Sequence, residues 1–384
     1  MRILHVIRSL DLRVGGPTQA LILMALALSR EGVEVDVAYT RTGVGADGGS
    51  LLACAEGVRL FGFANVGGGR WSFSRPLGCW LSSHVGTYDL VHVHGVWTFP
   101  PLMAARYARK MAVPLVLRPA GTLDIYPMSQ KLWRKKIYYH WAVKNMLTQS
   151  AAIHATSSSE ARQLGRLTSS HSIRVIPLAV NAMPTQSSGF IPDEPLRLLF
   201  LSRIHPKKGL PVLIQALARL HERGIAATLA VAGDGEADYL QFLHRHIAKL
   251  RLELWITFHG FLQGEEKNRL MAASHLFVLP SHQENFGLAV VEAMAAGLPV
   301  VVSDQVALAE DVELSGAGLV VPVDQPESLA GALGVLTDPA RRRIMAQKGP
   351  LWVQEKFSMA AMGRSLSALY HELVQNKNAA KIMI

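Results

Sequence analysis

Cysteine is nearly absent from the 384-residue sequence, with Cys54 and Cys79 the only two. Two cysteines cannot make a disulfide framework in a chain this long, and neither stands in a C-x-x-C or Cys/His zinc spacing, so a reducing, cytoplasmic setting is expected. Long hydrophobic runs are also missing. The run 3–7 is cut by Arg8. The run 20–28 is about half a membrane span and has no small-residue cleavage site, so neither reads as a signal peptide or an anchor. Acidic charge is short: 29 Asp and Glu against 39 Lys and Arg leave a formal charge of +10. A basic surplus favours anionic partners, namely nucleic acid, phosphorylated metabolites or an anionic membrane surface. The sequence lacks zinc-finger spacing and an RNP-like aromatic motif, which sets nucleic acid aside. It also lacks a strand-end Asp-x-Asp to hold a divalent ion and a G-x-G-x-x-G dinucleotide fingerprint.

What is present is core-forming. Hydrophobic residues make up 49% and charged residues 18%, enough for well-buried interiors without disordered tracts. The length predicts two domains. Short β-branched runs at 3–7, 33–39, 90–93, 115–117 and 152–155 alternate with helical patterns. The alternation restarts at 196–201 and continues at 227–232, 255–258, 276–279, 300–302 and 319–321. Such runs lack in–out alternation and belong to parallel strands buried on both faces. The expected fold class is α/β, with two Rossmann-like, doubly wound domains. The expected bounds are a first Rossmann-like domain over 1–183, a linker over 184–195 carrying prolines, and a second Rossmann-like domain over 196–350. A helical segment over 351–384 is expected to pack across both domains.

The most informative constellation lies in the second half. The strand HLFVLP leads into the loop Ser281-His282-Gln283-Glu284-Asn285-Phe286-Gly287, then a helix opening at Leu288, then the strand LPVVVSD. In open α/β sheets ligands bind at the carboxyl ends of strands, and the following helix offers free N–H groups and partial positive charge to a phosphate. Glu292, about two turns into that helix, is placed to hold vicinal hydroxyls, with Glu284 nearer a sugar. Upstream, Arg203 ends a strand and Lys208-Gly209 precedes the next helix. Two fixed cations there suit a departing diphosphate, on which charge builds as the glycosidic bond breaks. Gly233, Gly235 and Gly260 close the neighbouring strands and let a backbone approach a ligand closely. Each feature also has a plain reading as a surface charge or a strand end; their common order in one domain argues for a site.

The ordered segments SRIHPKKGL, VAGDGE, FHGFL, LPSHQENFGLAVVEAMAAGLPVVVSD and AEDVELSGAGLVVPVD resemble glycosyltransferase family 4, whose members are retaining enzymes with the GT-B fold, two Rossmann-like domains facing across a cleft. The resemblance implies that Arg203 and Lys208 are diphosphate ligands, that Glu292 is the ribose ligand and that Glu284 lies beside the transferred sugar. It further implies an acceptor domain over 1–183 and a nucleotide-sugar domain over 196–350, in which Phe286 and Gly287 offer backbone donors and Gly233, Phe261, Asn285 and Leu288 also bind the donor. Residues 13–19 (RVGGPTQ) resemble the family's N-terminal glycine loop, making Gly15 and Gly16 donor-side candidates. In DLVHVHGVW the period of two places His92 and His94 on one side of a strand. They could ligate a metal, but no third ligand is apparent in the sequence, and the expectation is no metal. Where relatives carry a histidine in a PHG-like triplet, this chain has Pro119-Ala120-Gly121, leaving His94, Arg118 and Asp124 as acceptor-side candidates. VIPLAVN likewise departs from the family's VIPNGVD.

The segment QKLWRKKIYYHWAVK over 130–144 interleaves basic residues with Trp133, Tyr138, Tyr139 and Trp141. It reads either as a membrane-docking surface on the inner face of the plasma membrane or as an amphipathic helix with its aromatics in the core. The function expected is transfer of a hexose from a nucleoside diphosphate sugar to a glycan or lipid-linked acceptor, without a cofactor. The alternatives are an epimerase or phosphorylase of the same fold, or a non-catalytic sugar- or partner-binding relative.

Overall fold

The computed structural model describes residues 1–11, 16–41, 49–52, 55–66, 69, 71–123, 136–168, 172–180 and 195–382. Contacts divide the chain into two compact units, Met1–Ala179 with Met359–Ile384, and Val180–Ser358.

The first unit is built on a parallel sheet of β1 (Arg2–Ile7), β2 (Glu34–Arg41), β3 (Val58–Ala64), β4 (Leu90–His94), β5 (Leu115–Arg118), β6 (Ala152–Ala155) and β7 (Ile173–Val175), in the order β3-β2-β1-β4-β5-β6-β7. Its helices are α1 (Gly16–Arg30), α2 (Gly49–Leu52), α3 (Arg75–His84), α4 (Phe99–Lys110), α5 (Lys144–Gln149, preceded by a π turn over Tyr139–Val143) and α6 (Ser158–Gly165). The inner strands are apolar runs with both faces covered: β4 and β5 are buried along their whole length. The sequence reading missed β3 and β7. β3 is a half-exposed edge strand whose apolar residues are interrupted by Arg59 and Gly62, and β7 is three residues long with mixed exposure, so neither gives the continuous apolar run that marks a buried strand.

The second unit repeats the design with β8 (Leu196–Leu201), β9 (Ala227–Ala232), β10 (Ile256–Gly260), β11 (Leu276–Leu279), β12 (Val300–Ser303) and β13 (Gly318–Val321), ordered β10-β9-β8-β11-β12-β13. Its helices are α7 (Leu210–Glu222), α8 (Ala237–Lys249), α9 (Gly264–Ala272), α10 (Leu288–Ala295), α11 (Ala309–Ser315), α12 (Pro326–Val335) and α13 (Pro339–Lys356). The last helix, α14 (Met359–Ile382), belongs to the first unit, where Leu366 and Tyr370 are fully buried and α14 packs on α1. The structure therefore divides the stretch 351–384: its start completes α13 and ends on buried Phe357, and the rest anchors elsewhere through its own apolar face. Most of the linker, residues 184–194, lies outside the described residues.

Each sheet reverses strand order once, between β1 and β4 in the first unit and between β8 and β11 in the second. At such a switch point the connections leave to opposite sides and open a crevice at the carboxyl ends of the strands.

Candidate active site

The second unit's switch point gathers most of the predicted donor-side residues. β8 runs on to Arg203, which is exposed, and a 3-10 turn over Pro206–Lys208 presents buried Lys208. Lys208 Nζ donates to Glu284 Oε2 in an ion pair whose side chains are 10% and 19% exposed. Glu284 is itself fixed by backbone pairing, its N–H donating to Gln305 O at 3.1 Å and its carbonyl accepting from Ala307 N at 2.9 Å. His205 sits between the two cations and its pKa is lowered, first by burial and then by the Arg203 guanidinium.

Close backbone approach explains two of the glycines. A side chain at Gly209, whose φ is +69°, would bring its Cβ to 1.9 Å from Pro280 O; one at Gly233, φ +141°, would meet Ser202 O at 1.9 Å. No side chain fits there, so the turn carrying Lys208 seats directly on the end of β11 and the end of β9 directly on the strand carrying Arg203.

The loop after β11 ends at Gly287, the N-cap of α10. Phe286 is buried, Asn285 and Leu288 are partly exposed, and Phe261, after β10, is 45% exposed. Glu292 is the fifth residue of α10, so it lies about one and a half turns from the cap rather than two. Its Oε1 accepts from Lys267 Nζ of α9 at 2.8 Å. Lys267 was not foreseen: its place on a helix from a different βα unit leaves no trace in local spacing.

The first unit's switch point is of another kind. His94 closes β4 and is 3% exposed; Arg118 closes β5 and is 1% exposed; Gly16 opens α1 at the surface. Gly15 and Asp124 lie outside the described residues. His5 of β1, aligned with His92 across the ladder, supplies the third imidazole that sequence spacing did not reveal. Ligand atoms of His5, His92 and His94 lie within 4.8 Å of one another. His5 Nδ1 and His94 Nε2 share a hydrogen bond of 2.9 Å, and His92 Nδ1 and Tyr370 Oη one of 2.7 Å. Among the described residues, His92 Nε2 and His94 Nδ1 have no hydrogen-bond partner.

These imidazoles are neutral. Burial, followed by the Arg118 charge, brings His5 down to about 3; burial and neighbouring imidazoles and Arg118 hold His92 and His94 well below the usual range; burial and then Arg118 bring His154 to about 3. Burial lowers Arg118 to about 10, countered by Glu160. Neutral imidazole is the metal-ligating form, but a fixed guanidinium beside it opposes a cation. Among the described residues, Arg118 donates only to Pro17 O at 3.3 Å and to the Met24 sulfur at 3.5 Å.

Ala120 has φ +54° and precedes Gly121, whose N–H donates to Glu160 Oε1 at 2.8 Å. Glu160 Oε2 also accepts from Thr156 N and Oγ1, each at 2.8 Å. The Ser157-x-x-Glu160 spacing is that of a capping box, and Ser157 does cap Glu160 N, but the carboxylate turns to the loop after β5 instead of its own helix.

In the 130–144 segment, Tyr138 packs edge-on to Trp71 and Tyr139 Oη donates to Leu167 O, while Trp141 is 67% exposed. Two aromatics therefore face the protein and one faces out. Lys131, Trp133, Arg134 and Lys135 lie outside the described residues.

Two family descriptions match the chain in tandem: Glycosyltransferase Family 4 over residues 14–182 and Glycosyl transferases group 1 over residues 185–352. An uncharacterised glycosyltransferase of Methanocaldococcus jannaschii is 33% identical over 182 residues, 47% of this chain and 46% of that one. The alpha-D-kanosaminyltransferase of Streptomyces kanamyceticus is 31% identical over the same shares. This chain thus spans about half the length of these relatives. A D-inositol 3-phosphate glycosyltransferase of Rhodococcus erythropolis is 26% identical over 95% of this chain and 88% of its own. HepE of Anabaena, solved in complex with UDP and glucose, superposes with a TM-score of 0.80 at 21% identity, over 97% of this chain and 100% of that one. WaaG, a glycosyltransferase involved in lipopolysaccharide biosynthesis, gives 0.72 at 17%, over 94% and 98%. At such identities the structural likeness defines the fold, which is GT-B. With both halves matched by glycosyltransferase families, the chain belongs to the family 4 type of glycosyltransferases.

Proposed function

We propose that the protein transfers a hexose from a nucleoside diphosphate sugar to a hydroxyl of a glycan or lipid-linked sugar, with retention of anomeric configuration. The observation that carries this reading is the Lys208–Glu284 pair at the second unit's switch point, beside exposed Arg203 and below the N-terminus of α10. A nucleoside diphosphate is the ligand whose charges match that arrangement. Its phosphates meet Arg203, Lys208 and the open N–H groups of α10, and its ribose hydroxyls meet Glu292. HepE, solved in complex with UDP and glucose, supports the same reading.

The chemistry follows from charge. As the bond from the anomeric carbon to the phosphate oxygen breaks, negative charge collects on the diphosphate and positive charge on the sugar ring. Arg203 and Lys208 oppose the first, and the Glu284 carboxylate lies where it meets the sugar's side. The acceptor oxygen bonds to the anomeric carbon as its proton passes to the leaving phosphate. The cations and the helix end neutralise the leaving group, so the reaction is proposed to need neither metal nor cofactor. The acceptor is proposed to be a lipid-linked or polysaccharide intermediate, met at an anionic membrane surface from the cytoplasm. Among the described residues no helix is long and apolar enough to cross a membrane.

Following the anomeric proton of the product by NMR, with and without acceptor, tests this. Acceptor-dependent product of unchanged configuration is expected. Donor turnover that needs no acceptor hydroxyl points to an epimerase. Inversion would remove the retaining assignment.

A further inference from the structure

The first unit carries a groove that the transfer reaction does not use. Of about 990 Å³, it follows the length of α4 and is closed on its other side by the π turn and α5. Its floor is apolar, formed by Phe99, Leu102, Met103, Ala105 and Ala108 along α4. At its mouth Trp71, Phe73 and Trp141 stand 39%, 43% and 67% exposed. So much indole and phenyl surface open to water marks an interaction face rather than a satisfied exterior.

Charge selects the partner. Arg106 and Arg109, one turn apart on α4, line the same groove and are exposed, and Lys377 of α14 lines it too; none of its lining residues is acidic. From residue 90 to 159 the sequence holds nine lysines and arginines against a single acid, Asp124, and two of the nine, Arg106 and Arg109, line the groove. An apolar trough with aromatic lips and two arginines at its rim matches an amphiphile with an apolar chain and a phosphate head.

We propose that the α4–α5 groove takes the apolar chain of a phosphate-headed membrane lipid, with Arg106 and Arg109 on the headgroup. The inference rests on the membrane location proposed above and narrows it from a basic segment to a defined trough.

Flotation of the full chain with vesicles of phosphatidylglycerol and phosphatidylcholine in equal parts, and with phosphatidylcholine alone, tests it. The protein floats with the anionic vesicles. The double substitution Arg106→Glu with Arg109→Glu lowers that binding by about tenfold or more. Ala105→Trp, which fills the trough without touching a charge, lowers it as well, and both variants keep the wild-type thermal response to nucleoside diphosphates in the other unit. If the wild type floats and neither variant loses binding, the groove assignment falls and the membrane location stands. If the wild type floats with neither vesicle, both fall. A wild-type dimer in sedimentation that Ala105→Trp makes monomeric would show the trough to be covered by a second copy and overturn the proposal.

Discussion

The two switch points share a topology and differ in how they handle charge. In the second unit two ion pairs, Lys208 with Glu284 and Lys267 with Glu292, lie largely buried beside Arg203, which is open to solvent. In the first, one guanidinium is buried among imidazoles that it and desolvation keep neutral. A paired, largely buried carboxylate and ammonium have already lost most of their water and can exchange partners when a phosphate arrives. A guanidinium buried among neutral imidazoles, its charge countered by the buried Glu160 carboxylate, already bears its desolvation penalty and is held in place by packing. The comparison assigns ligand exchange to the second unit and a fixed polar scaffold to the first.

Removing a cation tests the exchange side most strongly. Lys208→Ala or Arg203→Ala is expected to lower kcat by about 10²–10³-fold while the fold is retained, as for loss of a single donor to a developing oxyanion. Near-normal turnover in either would sink the diphosphate assignment. Crowding a close backbone contact should act on stability instead. Gly209→Ala drives a Cβ into Pro280 O, and about 1–3 kcal/mol of destabilisation of the second unit, read by chemical denaturation, is expected from such overpacking.

The scaffold side is tested by acid. His5 and His154 have native pKa values of about 3, and His92 and His94 also lie far below 6.5. Between about 3 and 6.5 the unfolded chain binds protons that the native first unit refuses. The stability these groups allow is therefore complete above about 6.5 and is lost as pH falls, at up to about 1.4 kcal/mol per pH unit for each histidine. Hydrogen exchange from pH 7 to 5 should show protection of β1 and β4 dropping faster than that of β8 and β11. Equal loss in both would mean that the imidazoles are not held neutral.

Smaller effects sharpen the comparison. Glu292→Ala is expected to raise the donor KM with little change in kcat. Lys267→Met should do the same more weakly, by about tenfold or less, because it removes one charged hydrogen bond to that carboxylate. A chelator is expected to leave turnover unchanged; a loss restored by zinc would direct attention to His5, His92 and His94.

The legibility of these features in the sequence follows from their range. Central strands such as β4 and β11 are readable because burial on both faces demands unbroken apolar runs, whereas half-exposed β3 and three-residue β7 demand none. Glu284 and Glu292 are readable because one strand–loop–helix places both. Lys267, His5 and Tyr370 are not, since each reaches its partner through sheet order or helix packing, and no local spacing encodes those. The Ser157-x-x-Glu160 spacing is that of a capping box, and nothing in it tells that the carboxylate holds Gly121.

The most direct test of the donor site is a thermal-shift titration of the purified protein with UDP, GDP, ADP and dTDP, each with and without its common sugars, since a ligand of the native state raises stability with its saturation. The expected result is a saturable shift with one nucleotide, naming its base, that is lost in Lys208→Ala and weakened in Glu292→Ala. No shift with any of the four, or a shift indifferent to both substitutions, would contradict a nucleotide-sugar site at the ends of β8 and β11.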